Sequence, residues 1–293
     1  MLDLPSLAQA GAAGHIPVLH AIVLGITQGL SEFLPISSSG HLILVPWLFG
    51  WKELLGPANA ELNKTFDVAL HVGTLLAAVG YFRRDLARLA AAGITSVRDR
   101  AVRTPDERMA WLLLLSALPG ALVGAALESV INERLGQIWL IAVMLIVFGL
   151  LLSVADKLPG HRKEHEYGRR EALIMGGAQA IALSPGVSRS GITITAGRWL
   201  GFERDAAARL SFLMSLPITA GAALYKGAKL AVDGLPPGTG AAFFWGIVAS
   251  AITGLGAVAL VLRVVRTRSF RPFVVYRLAA GAIVLVLLAS PLR

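Results

Sequence analysis

The sequence predicts an all-α, polytopic membrane protein that is built as an inverted-topology repeat. The 293 residues are 55% hydrophobic and only 15% charged, with a mean hydropathy of +0.68, which is too apolar for an ordinary soluble domain. Several apolar segments are long enough to cross a bilayer, and a polar pattern recurs at an offset of 151 residues. We expect residues 1–293 to form one integral membrane domain with repeat halves of about 16–155 and 171–290.

Composition narrows the chemistry that this chain can use. There is no cysteine, which excludes disulfides and thiolate-bound metals. No Lys or Arg precedes Lys52, so the N-terminus lacks the basic region of a secretory signal peptide, and Met1 to Gly14 is interpreted as a short tail.

Apolar runs predict six full transmembrane helices and two broken regions. The regions 16–50 and 171–201 are apolar but interrupted by Pro, Ser and Gly, so each splits into shorter helices. Broken backbone at membrane depth is tolerated only where it is buried in protein or lines a cavity, which favours two re-entrant helix-turn-helix hairpins. The six full spans are predicted at 65–82, 109–127, 137–155, 207–231, 241–262 and 273–290.

The basic residues predict the orientation of these segments. Eighteen of the 27 Lys and Arg residues fall in four connecting segments, 83–108, 156–170, 202–209 and 263–272, which are therefore predicted to be cytoplasmic. This topology also accounts for the net charge of +9 without nucleic-acid binding, which we do not expect. It requires both broken regions to return to the side from which they enter.

The internal repeat supports the same arrangement. Each half contains one hairpin and three full spans, and an odd number of crossings turns the second half upside down. In inverted repeats with broken helices, the half-helix N-termini commonly face an anionic group. The matching pairs are Gly25/Gly176, Gln28/Gln179, Ser37/Ser188, Ser39/Ser190 and Gly40/Gly191.

The first hairpin places polar groups at membrane depth. Gln28 and Glu32 lie four residues apart on one face of a helix that runs to Pro35. A second helix is predicted to begin near Ser39, and the free amides of its first turn would favour an anion. Glu32 could serve in proton coupling, bind a metal or be satisfied by a backbone amide, and His41 could be catalytic or simply packed and hydrogen-bonded.

The second hairpin carries an arginine at its predicted tip. Arg189 is surrounded by the hydroxyls of Ser188, Ser190 and Thr193, and its planar fork suits two oxygens of a phosphate or carboxylate. The alternative is a structural ion pair with Glu32. Together, Glu32, the serines Ser37, Ser38 and Ser39, His41 and Arg189 supply the groups that phosphoryl transfer needs. Asp67 is either a further carboxylate of the site or a residue favoured at a helix start.

These motifs resemble the undecaprenyl-diphosphatases of the bacitracin-resistance type. That family has an E-G-x-x-E-F-L-P-x-S-S-[ST]-G-H stretch, an F-[ED]-x-x-x-x-x-G-[ST] stretch and a P-G-x-S-R-S-G-x-T stretch. A glutamine, Gln28, stands where the family pattern has its first glutamate. The resemblance covers nearly the whole chain, through 28–41, 66–74 and 185–193 to 269–277.

The resemblance implies a hydrolase of the bacterial cytoplasmic (inner) membrane that removes the terminal phosphate of undecaprenyl diphosphate at the outer, periplasmic face. Such an enzyme recycles the lipid carrier of cell-wall synthesis and confers bacitracin resistance. The resemblance also implies a divalent cation, Mg²⁺ or Ca²⁺. Because Gln28 replaces the first family glutamate, we expect either Glu32 alone or Glu32 together with Asp67 to bind it. Membrane lipid is a further partner, and association into a homodimer is left open.

The resemblance also guides the expected roles within the site. We expect Glu32, Ser38, His41 and Arg189 to be catalytic, with Ser38 preferred as nucleophile over His41 or water. Substrate binding is expected from Gln28, Ser37, Ser39, Ser188, Ser190 and Thr193. The competing function is a transporter or flippase of an anionic polyprenyl lipid, because inverted repeats with broken helices are also transporter architecture.

Overall fold

The computed structural model describes residues 16–55, 59–235 and 237–291, so the predicted tail Met1 to Gly14 lies outside it. The described residues form eleven α-helices and two short 3₁₀ turns, with no β-strand among them. The helices are α1 (Val18–Phe33), α2 (Ser38–Phe49), α3 (Ala60–Tyr81), α4 (Arg83–Arg98), α5 (Pro105–Arg134), α6 (Ile138–Lys157), α7 (Arg169–Ile181), α8 (Arg189–Trp199), α9 (Arg204–Asp233), α10 (Gly240–Val265) and α11 (Arg271–Ala289).

The predicted fold class, an all-α polytopic membrane protein, is confirmed. Within the described part of the chain, five helices are long and apolar enough to cross a membrane: α5, α6, α9, α10 and α11. A sixth span is obtained if α3 and α4, which are bent by 84° at Phe82, are counted together. The hairpins α1–α2 and α7–α8 occupy the two predicted broken regions, and their re-entrant path through the bilayer stays a prediction.

The helix α4 differs from the sequence prediction, which placed a loop at 83–108. Arg83 and Arg84 make the start of this segment polar, but further along Leu89 is buried while Ile94 and Val97 are exposed. Such a mixture gives an amphipathic helix with too few apolar residues for a spanning segment. The predicted span 65–82 coincides with α3 as far as Tyr81, and α3 meets the criteria for a membrane span only together with α4.

Both hairpins turn in the same way. Ser37 caps α2 and Ser188 caps α8, and each accepts a hydrogen bond from the amide three residues later, at 3.4 Å and 3.1 Å respectively. The two serines have φ angles of 78° and 74°, a backbone region that residues other than glycine rarely adopt. The cap positions, like the helix starts, therefore follow the predicted repeat.

The first helix of each hairpin packs against a helix of the opposite half. Helix α1 lies along α10, and α7 lies along α5. A Cβ atom added at Gly25 would come within 2.4 Å of the Gly246 carbonyl oxygen, and one at the repeat partner Gly176 within 2.6 Å of the Ser116 carbonyl oxygen. Glycine at both positions allows the helix backbones to approach closely.

A buried arginine joins the two hairpin tips. Arg277 of α11 is fully buried and donates hydrogen bonds to the carbonyl oxygens of Pro35 at 3.1 Å, Gly186 at 2.9 Å and Val187 at 3.1 Å. The Ser37 hydroxyl oxygen also accepts a bond of 3.0 Å from the Gly186 amide. Because these bonds connect residues of both halves, they fix the position of one tip against the other.

Candidate active site

A cavity of about 280 Å³ lies where the hairpin tips meet, and we call it the tip cavity. Six helices contribute to its wall: α1, α2, α3, α7, α8 and α9. Its polar lining residues are Glu32, Ser38, Ser39, His71, Gln179, Ser188, Arg189 and Thr219. The sequence repeat therefore brings its two most polar stretches into one site.

An ion pair between Glu32 and Arg189 spans this cavity. The Glu32 side chain is only 4% exposed, whereas the Arg189 side chain is 21% exposed and reachable from the cavity. Arg189 also donates to the Thr219 hydroxyl at 2.5 Å and to the Ser215 carbonyl oxygen at 3.3 Å. The ion pair considered as an alternative from the sequence is thus formed, inside a cavity large enough to hold a phosphoryl group as well.

Three further side chains surround the Glu32 carboxylate. The Ser38 hydroxyl donates a hydrogen bond of 2.5 Å to it, and the Gln28 amide donates one of 3.1 Å. The His71 Nε2 atom lies 3.6 Å from the same carboxylate oxygen. A hydroxyl that donates to an ionised carboxylate is the arrangement in which the carboxylate can take up the hydroxyl proton.

Two helix N-termini open into the tip cavity. Ser38 and Ser39 of α2 line it from one hairpin, and Ser188 and Arg189 at the start of α8 line it from the other. The first amides of a helix have no acceptor within the helix, and the helix dipole adds partial positive charge there. The cavity is therefore suited to an anion with several oxygens.

The other predicted substrate-binding residues hold the tips together. Ser190 donates to the Leu34 carbonyl oxygen at 3.1 Å, which ties the second tip to the first. Thr193 bonds to the Arg189 carbonyl oxygen and to the Ser211 hydroxyl, both at 2.7 Å. Ser37 acts as the helix cap described above. These residues and Gln28 do not line the cavity themselves, but they bond to the segments that form its wall.

His41 is not among the residues that line the tip cavity. Its Nδ1 atom lies 2.7 Å from the Ser37 carbonyl oxygen, and its Nε2 atom lies 2.7 Å from the Tyr276 hydroxyl. Because a carbonyl only accepts, Nδ1 carries the proton and Nε2 accepts from Tyr276. The structure therefore supports the packed and hydrogen-bonded interpretation of His41.

The structure does not bring Asp67 to Glu32. Asp67 lines a separate cavity of about 140 Å³ together with Asn63 and Leu54. Within the residues described, no three His, Asp or Glu side chains form a cluster of the kind that holds a metal. His71, one turn after Asp67, is the residue of α3 that faces the Glu32 carboxylate.

The residues around Glu32 nevertheless fit a cation that is shared with a phosphorylated substrate. His71 Nδ1 lies 2.7 Å from the Asp67 carbonyl oxygen and donates to it, which leaves Nε2 as a hydrogen-bond acceptor beside Glu32. The Gln28 Oε1 atom is buried without a hydrogen-bond partner among the described residues. Hard cations such as Mg²⁺ often use one or two protein carboxylates, with substrate phosphates and water completing the shell.

Sequence reasoning missed three polar residues of the cavity wall. His71 lies inside the motif 66–74, in which the sequence favours the more acidic Asp67 as a site residue. Gln179 is the repeat partner of Gln28, which was a usable signal. Thr219 belongs to no motif, and only the fold places its hydroxyl against Arg189.

Comparison with known proteins agrees with these features. Residues 21–283 match the family model described as bacitracin resistance protein BacA. The chain is 52% identical to an undecaprenyl-diphosphatase of Pelobacter propionicus over 93% of this chain and 98% of the relative. It is 50% identical to one of Geobacter sulfurreducens over 92% and 98% of the two chains. An undecaprenyl-diphosphatase of a Nocardioides species is 42% identical over 94% and 98%.

Proposed function

The chain belongs to the bacitracin resistance protein BacA family, and on that premise we propose that it hydrolyses undecaprenyl diphosphate to undecaprenyl phosphate and inorganic phosphate. The observation that carries this proposal is the Glu32 carboxylate, which is bonded to both the Ser38 hydroxyl and the Arg189 guanidinium. A base, a hydroxyl and a phosphate-binding guanidinium thus meet at one point of the tip cavity. A transporter of an anionic lipid does not require that combination.

In this proposal, the residues of the tip cavity have separate roles in phosphoryl transfer. The diphosphate binds with its terminal phosphoryl group against Arg189 and the first amides of α2 and α8. Arg189 then shares its charge between Glu32 and the phosphoryl oxygens. The same donors stabilise the negative charge that spreads over those oxygens in the transition state.

Ser38 is the nucleophile in this mechanism. Its hydroxyl proton passes to Glu32 as the oxygen bonds to the terminal phosphorus, and the bond from that phosphorus to the bridging oxygen breaks. Glu32 passes that proton to the former bridging oxygen, so undecaprenyl phosphate leaves, Glu32 is ionised again and the phosphoryl group remains on Ser38. Glu32 then takes a proton from a water molecule whose oxygen bonds to the same phosphorus. The Ser38–phosphorus bond breaks, the Ser38 oxygen receives the proton from Glu32, and inorganic phosphate is released.

A divalent cation would be held by the Glu32 carboxylate together with the diphosphate oxygens and water, with His71 positioned beside Glu32. When bound, Mg²⁺ or Ca²⁺ supplies positive charge that offsets the charge of the diphosphate. Gln28 supports this site, because its amide nitrogen donates to Glu32 and its amide oxygen has no hydrogen-bond partner among the described residues. A neutral glutamine at this position leaves Glu32 as the carboxylate of the site.

The protein is a multi-pass membrane protein, and we propose that it lies in the bacterial cytoplasmic membrane with the tip cavity open to the outer side. The positive-inside distribution of Lys and Arg supports this orientation. The substrate and the surrounding membrane lipid are its partners, and a homodimer stays a prediction. Release of undecaprenyl phosphate at this face returns the lipid carrier to cell-wall synthesis and lowers sensitivity to bacitracin.

The test is phosphate release from undecaprenyl diphosphate by the detergent-purified protein, with and without Mg²⁺ or Ca²⁺. We expect cation-dependent release by the wild type and by Ser31→Ala, whose hydroxyl bonds only within α1 to the Thr27 carbonyl. Arg189→Ala is expected to lose it. Absence of release from folded wild-type protein would contradict the proposal and favour transport of an anionic polyprenyl lipid.

A further inference from the structure

A third and larger cavity of about 840 Å³ lies between α3, α4, α5 and α9, and we call it the apolar groove. Its wall is built from aliphatic side chains, with Trp111 and, at one end, Arg98. The Trp111 indole N–H already donates to the Ser96 hydroxyl, so it does not need a hydrogen-bond acceptor from a ligand. The groove therefore offers a ligand almost nothing except apolar contact.

The apolar groove lies next to the tip cavity, because two helices contribute to the walls of both. On α3, His71 lines the tip cavity and Leu75, one turn later, lines the groove. On α9, Thr219 lines the tip cavity and its neighbour Ala220 lines the groove. A molecule with its head group at Arg189 can therefore extend along α3 and α9 into the groove.

We infer that the apolar groove binds the prenyl chain of the substrate whose diphosphate occupies the tip cavity. This inference rests on the proposed function. Lipid tails are as apolar as leucine side chains, so burial alone does not favour one chain over another. The diphosphate tethers its own chain beside the entrance, which raises the effective concentration of that chain over free lipid.

The position of the groove makes it specific for long chains. The part of α4 that lines it, from Leu86 to Arg98, is about 18 Å long at about 1.5 Å per residue. A farnesyl chain can occupy only the part of the groove nearest the tip cavity, whereas an undecaprenyl chain has enough length to fill the groove. Contacts in the far part of the groove therefore contribute to the binding of long-chain substrates and not of short ones.

Ala90 and Ala91 provide a matched pair of variants on α4. Both are exposed small residues, but only Ala90 lines the groove. We expect Ala90→Trp to lower kcat/KM for undecaprenyl diphosphate about tenfold or more, while kcat/KM for farnesyl diphosphate stays unchanged. Ala91→Trp should leave both values unchanged. An equal loss for both substrates, or no loss for either, would overturn the inference.

A second measurement does not depend on hydrolysis. A long-chain prenyl diphosphate with a photoreactive group at the far end of its chain is irradiated with wild-type protein, and the labelled peptides are identified by mass spectrometry. We expect labelling within 86–98 or 110–114 that excess undecaprenyl diphosphate suppresses and excess phospholipid does not. Labelling elsewhere would show that the prenyl chain does not enter the groove. Suppression by phospholipid would show that ordinary lipid occupies the groove. Absence of phosphate release with correct labelling would contradict only the proposed function.

Discussion

Arg277 donates a hydrogen bond of 3.1 Å to the carbonyl oxygen of Pro35, 242 residues earlier in the chain. The same guanidinium bonds to the second hairpin tip, so removing it leaves several buried carbonyl groups without partners. Each such group costs about 1–3 kcal/mol. We expect Arg277→Met to lower the thermal unfolding midpoint and phosphate release together. Arg271→Met, at the exposed start of the same helix, is the control, and an unchanged midpoint for Arg277→Met would contradict the role.

Arg189→Lys tests the planar fork of the phosphate-binding residue. Lysine keeps the charge but cannot contact Glu32, Thr219 and a phosphoryl oxygen from one rigid plane. We expect phosphate release to fall about a hundredfold or more, with the larger part of the loss in kcat. Arg268→Lys, an exposed position in a connecting segment, should be unaffected. Near-normal turnover of Arg189→Lys would show that charge alone is sufficient.

Ser38→Ala tests the assignment of the nucleophile. If Ser38 attacks the phosphorus, its removal should lower kcat by about a thousandfold or more and abolish the phosphoenzyme. Acid quenching followed by mass spectrometry of the peptide that contains Ser38 would detect the phosphoserine in wild-type protein. Ser31→Ala is the control and should keep normal turnover, because the Ser31 hydroxyl donates to the Thr27 carbonyl oxygen within α1, whereas Ser38 bonds to Glu32. Substantial activity of Ser38→Ala would indicate that Glu32 activates water directly.

His71→Ala and Asp67→Asn test which of these two residues of α3 belongs to the cation site. The sequence favours Asp67, and the structure favours His71. We expect His71→Ala to raise the Mg²⁺ concentration needed for half-maximal phosphate release at least about tenfold, since it removes the group beside Glu32. Asp67→Asn should leave that concentration unchanged, because Asp67 lines the separate cavity of about 140 Å³ beside Asn63. The reverse result would place the cation with Asp67 and refute the arrangement proposed for Glu32 and His71.

Gly25→Ala and Gly176→Ala test the close helix contacts of the two halves. The added methyl groups would meet carbonyl oxygens at 2.4 Å and 2.6 Å, and overpacking of this kind costs about 1–3 kcal/mol. Both variants should unfold at lower temperature than the wild type in detergent. Gly177→Ala, where the added Cβ meets no atom within 4 Å, is the matched control and should be neutral or slightly stabilising. Equal midpoints for all three variants would contradict the close approach.

Much of this architecture could be predicted from the sequence because its signals are local or repeated. The apolar runs give the spans, and the matching Ser37 and Ser188 give both hairpin caps. Helix α4 was not predicted from the sequence, because the arginines among its apolar residues make the segment too polar to be recognised as a membrane span.

The candidate site shows the same division between local and long-range information. The convergence of Glu32, Ser38 and Arg189 followed from the repeat. The sequence did not determine whether Asp67 or His71 faces Glu32, because they lie one turn apart and the neighbouring helices decide. The partners of Arg277 and Thr219 are set by contacts across the whole chain, which no local pattern records.

The separation of 157 residues between Glu32 and Arg189 has a consequence for biogenesis. At a synthesis rate of about 5–20 residues per second, the carboxylate emerges from the ribosome roughly 10–30 s before the guanidinium that neutralises it. Helix α10, on which α1 packs, is translated later still. The nascent first hairpin therefore cannot complete its contacts with Arg189 and α10 until the second half has been synthesised. Final seating of that hairpin is a late event that follows synthesis of the second half.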